Sequence, residues 1–402
     1  MTPESKYGCP ESGCGFQAAR DYGVRATEQA EQLNDHMVTG LVRDGVIPAD
    51  SAVDRAFRTV KRHWFLPGTD LDQVYANVAV VTRRRPDGVP ISSSSQPAIV
   101  ARMLQQLDAL PGHRVLEIGA GTGYNAALLG QLVGPDGTVT TIDVDPEICA
   151  AAEGHLQVAE ASNVSVIRGD GWAGVEEHGP FDRVEATVGV WDLSTRWVEQ
   201  LKPDGILVAP LWLRTGLQAS VAFRRRNGGL KAASIEPCGF MTLRGPGAGD
   251  AGYEQIGGWN VSFDEPSPTR AALLERLLPT PPRTGPAPDL PAGWFTRMAL
   301  IEPDAVHLFS LGRDGPVVGR GVIDASVPGL AVIVSDPRGV NTVQVFGGEE
   351  VGGRLLRMIG SGPPIELRNL FISAVRAGEP VDEHQPLVTL TRPNFRFVIS
   401  GN

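Results

Sequence analysis

One stretch constrains this chain more than any other: Val115-Leu116-Glu117-Ile118-Gly119-Ala120-Gly121-Thr122-Gly123-Tyr124-Asn125. A run of strand length leads straight into three glycines at alternate positions and then into a helical pattern. Parallel strands need a long crossover, usually a helix, so this order opens a parallel α/β sheet. The residues around it keep the alternation. Strand-like runs fall at Arg114–Ile118, Thr138–Ile142, Val164–Arg168, Phe181–Thr187 and Ile206–Leu211. Helical patterns fall at Ala98–Leu107, Tyr124–Leu132, Pro146–Ala161 and Ser194–Leu201. The expected fold class is α/β, a Rossmann-like parallel sheet covered on both faces. Extended segments at Gln218–Arg224 and Ala232–Leu243 follow and read as antiparallel.

Length places that sheet in a larger frame, because 402 residues at about 150 per domain imply two or three domains. Residues 1–25 carry Gly8, Pro10, Gly13, Gly15 and Gly23 without periodicity and read as a mobile N-terminal segment. Residues 26–245 form the first domain. It starts with a helical segment marked by Leu33, Met37, Leu41 and Val42, then a second helix with Val53, Ala56, Phe57 and Val60 on one face. Gly245–Gly252 reads as a linker, and residues 253–402 as a second, mixed α/β C-terminal domain. Within it a proline-rich connector, Pro279–Pro291, precedes strand-like runs at Phe295–Ile301, Ala305–Leu311, Gly329–Ser335, Gln385–Leu390 and Phe395–Ile399. One helix is expected there, from Pro364 to Ala377.

Charge and cysteine usage narrow the partners. With 36 basic and 46 acidic residues the net charge is −10, which repels phosphate backbones and anionic lipid. No nucleic-acid or membrane partner is expected. Four cysteines are too few for a disulfide scaffold, no apolar run approaches the ~20 residues of a span, and Met1–Arg20 has no apolar signal region. The expected location is cytoplasmic. Cys9 and Cys14 have a spacing at the edge of zinc-ligand range, but no second pair follows and no metal is assigned.

The glycine loop indicates the ligand. Its spacing is G-x-G-x-G, not the G-x-G-x-x-G that seats a pyrophosphate. Gly119, Gly121 and Gly123 let a ligand lie on the backbone near a helix N-terminus. Glu117, two positions before the first glycine, would repel a diphosphate and suits a cation. The next strand ends in Asp143, where a carboxylate accepts from two ribose hydroxyls. Gly169-Asp170-Gly171 follows the third strand, where Asp170 is placed to receive an adenine amino group. Tyr124, Asn125, Val144, Gly171 and Thr187, which flank these positions, complete the expected set. Together they point to S-adenosyl-L-methionine, with its ammonium and sulfonium, and to a class I methyltransferase. The competing readings are glycines that merely turn the chain, and a nicotinamide dehydrogenase.

Over about residues 35–245 the chain resembles the protein-L-isoaspartate O-methyltransferases. The likeness rests on Arg62-His63-Trp64-Phe65-Leu66-Pro67, on Ser95-Gln96-Pro97, on the glycine loop, and on Gly169-Asp170-Gly171 with Phe181-Asp182. The resemblance implies that the serine before the proline lies beside the substrate carboxyl and the methyl group. Here Ser92, Ser93, Ser94 and Ser95 run together. Anchoring on Pro97 selects Ser95, and anchoring on Ile91 selects Ser92. Ser95 is preferred because the proline begins the following helix, and Ser94 stands where the family has an apolar residue. A carboxylate with a pKa near ~4 is ionised at pH 7, so its methylation needs no general base. His63 therefore reads as a packing or capping residue.

Residues 253–402 exceed what a repair enzyme of this family requires. Cys238-Gly239-Phe240-Met241, Gly245-Pro246-Gly247-Ala248-Gly249 and Ala79-Val80-Val81-Thr82 are similar to a branch found with lanthipeptides and other ribosomally synthesised modified peptides. That branch implies esterification of an Asp side chain in a constrained or cyclised precursor peptide, leading to aspartimide or isoaspartate, with the C-terminal domain gripping the peptide. The alternatives are general repair of isoaspartyl residues, and a binding protein that keeps the methyltransferase fold without activity.

Overall fold

The strand-to-helix rhythm around the glycine loop builds the centre of a ten-stranded sheet. The structure, a computed structural model, describes residues 14–86, 88–226, 229–249, 253–265, 267–312, 315–380 and 386–401. Five parallel strands lie in the order Leu201–Arg214, Phe181–Ala186, Arg114–Ile118, Thr138–Asp143, Val164–Arg168. Helices Pro97–Leu107, Tyr124–Val133, Pro146–Val158 and Thr195–Gln200 accompany them, within a few residues of expectation. Pro97 and Pro146 each sit in a first helical turn, where the missing N–H costs nothing. The Asp145 side chain caps the second by accepting from the Glu147 and Ile148 N–H groups. Strand order reverses at Arg114–Ile118, which opens a crevice at the C-terminal strand ends.

At the N-terminal end, helix Cys14–Arg43 starts earlier than the expected Thr27 region. The anticipated lead-in over residues 1–25 therefore lies outside the described residues up to residue 13 and is helical beyond it. Cys9 also lies outside the described residues, so the Cys9/Cys14 pair has no described geometry. Val38 and Leu41 of this helix and Phe57 of helix Ala52–Thr59 pack with Leu104 and Leu128 in one buried cluster.

The C-terminal part corrects several expectations. Seven antiparallel strands form a second sheet in the order Glu254–Ile256, Trp259–Ser262, Ala305–Gly312, Gly315–Asp324, Gly329–Ser335, Asn341–Gly347, Arg283–Pro286. The proline-rich connector thus supplies an edge strand, the position that tolerates Pro286. Phe295–Ile301, expected as a strand, belongs to helix Trp294–Ile301, with Phe295, Met298 and Ala299 buried at helical spacing. A short apolar run does not distinguish the two. Pro364–Ala377, expected as a helix, is a 3-10 turn at Leu367–Asn369 followed by strand Leu370–Arg376, whose buried residues Leu370, Ile372 and Ala374 alternate. The helix of this region is Glu350–Gly360. Gln385 lies outside the described residues, and the strand there is Val388–Thr391.

The last three strands leave the second sheet. Leu370–Arg376 pairs with Gly229–Pro237, Phe395–Gly401 pairs beside it, and Val388–Thr391 closes that edge of the first sheet. Gly229–Pro237 is reached through Leu217–Arg226, which continues the sheet antiparallel from Leu201–Arg214. A boundary at residue 253 therefore does not separate two self-contained sheets. One buried cluster joins Leu211, Leu213 and Phe223 to Phe295, Val351, Ile372 and Phe397. Among the described residues no helix is long and apolar enough to cross a membrane.

Candidate cofactor and acceptor site

The crevice at the strand-order reversal is a cavity of 720 Å³ walled by the glycine loop, the serine strand Pro90–Ser94 and the segment 237–244. Gly119 has φ +100°, and a Cβ there would lie 2.9 Å from Thr187 Oγ1. Thr187 in turn donates to the carbonyls of Gly119 (2.7 Å) and Ile118 (3.1 Å), so the loop is tied to the end of the neighbouring strand. A Cβ on Gly121 would lie 3.6 Å from the Ser93 carbonyl. The bare loop therefore runs directly against the serine strand, and any side chain at these two positions would fill the floor of the cavity.

Beneath the loop lie two carboxylates. Glu117 and Glu185 are in register on adjacent parallel strands, and both are 0% exposed. Asn125 Nδ2 donates to Glu117 Oε1 and to Glu185 Oε2, each at 2.8 Å, and Thr141 Oγ1 donates to Glu117 Oε2 at 2.5 Å. Burial pushes the Glu117 carboxyl up to about 7, against the lowering effect of its two donors. Burial pushes Glu185 to about 8, with the Glu117 charge adding to the rise. Sequence reasoning missed Glu185. The available signal was an acidic residue in the middle of an otherwise buried strand, where a charge is expensive unless it has a use.

At the rim, Asp143 Oδ1 accepts from the Asp145 N–H at 3.1 Å and lies 3.5 Å from Arg244 Nη2. Val144, half exposed beside it, gives the cavity an apolar lip. Arg83 reaches across from strand Val80–Arg84 to Asp145 (3.0 Å) and Glu147 (2.7 Å). Gly171 lines the wall, whereas Asp170 does not: its Oδ1 caps the 3-10 turn Gly171–Ala173 by accepting from the Trp172 N–H. Gly123 also stands off the wall, as the residue that starts helix Tyr124–Val133.

The four serines all line the cavity. The Ser92 hydroxyl accepts from Thr82 Oγ1 at 3.0 Å, while Ser94 is 3% exposed and its Oγ has no hydrogen-bond partner. Behind them the fully buried Arg62 donates to the carbonyls of Ser95 (2.8 Å), Ser94 (3.3 Å) and Val78 (3.3 Å) and lies 5.5 Å from the Tyr124 ring centroid. It is a clamp on the serine strand that sequence reasoning quoted without a role. His63 stands off the wall and pairs with Tyr75 through Nδ1 at 2.6 Å.

The cavity thus gathers Ser92, Ser94, Ser95, Glu117, Gly119, Gly121, Tyr124, Asn125, Asp143, Val144, Gly171 and Thr187, and leaves out Gly123 and Asp170. Among the described residues its lining comes from residues 77–244. Three residues of its lining carry a buried polar atom, Glu185 Oε1, Tyr124 Oη and Ser94 Oγ, with no partner among the described residues. Buried polar groups are normally satisfied, so these atoms mark a place built for a polar ligand. Acidic groups at one end, bare glycine backbone between, and a rim carboxylate suit the ammonium, the body and the ribose of S-adenosyl-L-methionine.

Comparison with known proteins agrees with this geometry. The model of the family Protein-L-isoaspartate(D-aspartate) O-methyltransferase (PCMT) matches residues 31–247, more than half of the chain. The protein-L-isoaspartate O-methyltransferase of Methanopyrus kandleri is 36% identical over 212 residues, covering 50% of this chain and 86% of that protein. The one from Methanococcus aeolicus is 34% identical over 209 residues, covering 52% and 93%. A solved protein-L-isoaspartate O-methyltransferase superposes with a TM-score of 0.51 at 23% identity over 85% of this chain and 96% of its own, which shows a shared class I methyltransferase fold. The chain therefore belongs to the protein-L-isoaspartate O-methyltransferase family, the S-adenosyl-L-methionine-dependent protein carboxyl O-methyltransferases.

Proposed function

We propose that this enzyme methylates the free carboxyl of L-isoaspartyl residues in polypeptides, the general repair reaction. One observation carries the reading: the cofactor loop and the serine strand form two walls of a single cavity, with Gly121 against Ser93. When bound, S-adenosyl-L-methionine supplies an electrophilic methyl group on a sulfonium. The chain's own residues bind and orient. Glu117, with Glu185 beside it, faces the cationic end, and Asp143 offers a carboxylate to the ribose. The Ser95 hydroxyl donates to the acceptor carboxylate, while Arg62 holds the Ser95 and Ser94 carbonyls and so sets the direction of that donor. No side chain has to take a proton, because the acceptor arrives ionised. Rate comes from alignment and from water exclusion in a largely buried cleft.

The narrower reading is esterification of an Asp in a precursor peptide gripped by residues 253–402. It rests on the chain beyond the family match. Two observations bear on it: among the described residues the cavity wall draws nothing from beyond residue 244, and the fold overlap with the solved isoaspartate enzyme is longer than residues 31–247, so a shared fold reaches into the C-terminal part. Extra length alone therefore does not mark a dedicated peptide.

The test is methyl transfer to a short L-isoaspartyl peptide and to its ordinary aspartyl isomer. The isoaspartyl peptide is expected to gain one methyl group and the isomer none. Ser95→Ala is expected to lower kcat/KM about 10- to 100-fold, the worth of one hydrogen bond to a charged group. Methylation only of a cyclised aspartyl precursor would favour the narrower reading. Failure to bind S-adenosyl-L-methionine at all would leave a binding protein without activity.

A further inference from the structure

Two buried carboxylates stand side by side on this cavity, and among the described residues no ion pair reaches either of them. Burying one uncompensated carboxylate is costly, and a second next to it is more so. The Asn125 amide lies between Glu117 and Glu185 and gives each a hydrogen, but it carries no charge. Glu117 is satisfied on both oxygens, by Asn125 and Thr141. Glu185 is not: it is a residue of the cavity lining, and its buried Oε1 has no partner among the described residues. Of the arginines in or behind the cavity wall, Arg244 lies against Asp143 and Asp145, and Arg62 donates to the carbonyls of Ser95, Ser94 and Val78, and among the described residues neither pairs with Glu117 or Glu185.

We propose that Glu185 is a second anionic anchor of the cofactor site, and that its free Oε1 receives the ammonium of the cofactor's methionine portion, in concert with Glu117. An ammonium fits the arrangement better than a metal ion does. It has three hydrogens to give and needs only acceptors, whereas the amide hydrogens that Asn125 turns toward both carboxylates would oppose a metal between them. A ligand that brings a positive charge compensates an ionised carboxylate in a low-dielectric site, where an unpaired one is costly. The pair would then contribute to selectivity for ligands that carry the amino group over those that do not.

This inference rests on the cavity being the cofactor site, so the experiment separates the two. The probes are S-adenosylhomocysteine and its analogue with hydrogen in place of the amino group, titrated calorimetrically into the full-length chain and into Glu185→Gln. The expected result is an affinity for S-adenosylhomocysteine about 10- to 100-fold weaker in the variant, with affinity for the deamino analogue changed less than about twofold. Glu185→Leu carries the same test should the glutamine variant not fold, because an apolar side chain of similar size often replaces a buried charge without loss of stability. Equal weakening for both ligands, or unchanged affinity for both, would overturn the role of Glu185 and leave the cofactor site standing. Absence of S-adenosylhomocysteine binding to the wild-type chain would instead overturn the reading of the cavity itself.

Discussion

Glu117 and Glu185 hold protons in the folded chain that they would give up once unfolded, and this ties stability to pH. Their folded values are about 7 and about 8, against 4.5 for an ordinary glutamate. Both are raised, so between those limits the native state binds more protons than the unfolded chain. The associated stability is fully present below about pH 4.5 and is lost as pH rises through 7 to 8. Asn125, Thr141 and Asp143 are the polar groups facing the pair. Asp324, lowered to about 2 by its bonds from Ser326 and Val327, acts only at the acid end, whereas burial raises Asp192 to about 6 and lowers His307 to about 3, so these two add opposite slopes near pH 6 and the comparison is made against the double variant. The expected outcome is a ligand-free Tm that falls between pH 5.5 and 8.5, with a flatter profile in the Glu117→Gln/Glu185→Gln variant. A wild-type profile no steeper than that of the double variant over this range would contradict the assignment. Glu117 was legible in the sequence because it stands two residues before Gly119. Glu185 was not, since its meaning comes from a strand register that brings distant positions together.

The hairpin Val80–Arg84 with Pro90–Ser94 carries the serine wall of the cavity on only two strands, which are marginal by themselves. It is held at two points. Arg62 grips the carbonyls at the end of the serine strand, and Arg83 bridges to Asp145 and Glu147 at the start of helix Pro146–Val158. The Arg83 contacts are partly exposed, and such pairs contribute at most about 1 kcal/mol to stability. Arg83→Ala is therefore expected to leave Tm nearly unchanged while raising KM for the isoaspartyl peptide several-fold, as steady-state kinetics with a parallel melt would show. A large drop in Tm with unchanged KM would place Arg83 in folding rather than in the site. At this scale the sequence read best where local chemistry was strong: Pro97, Pro146 and the glycine loop mark starts and stops by their own backbone geometry. It read worst at Trp294–Ile301 and Leu370–Arg376, whose short apolar patterns fit either element until a neighbour selects one.

Across the whole molecule the C-terminal strands complete the catalytic sheet, so removing residues 253–402 does more than trim an appendage. It would strip Gly229–Pro237 of its neighbour Leu370–Arg376 and take Ile372 and Phe397 out of the cluster shared with Leu211 and Phe223. The truncated chain is expected to lose its cooperative melt and its cofactor binding, as circular dichroism and calorimetry would report. A folded, active truncation would show that the shared sheet is dispensable. A milder probe is Phe397→Ala, at a fully buried ring, expected to cost about 3–5 kcal/mol in chemical denaturation. The sequence by itself determined the parallel α/β sheet, the glycine loop, the acidic residue before it and the run of serines before Pro97, because each is written in residues adjacent along the chain. Only the tertiary structure decided that Glu185 joins Glu117, that Arg62 and Arg83 hold the serine hairpin, and that the last strands return to the first sheet. Those depend on pairing and packing between segments far apart in sequence, and local propensity carries no record of which partner a strand edge will meet.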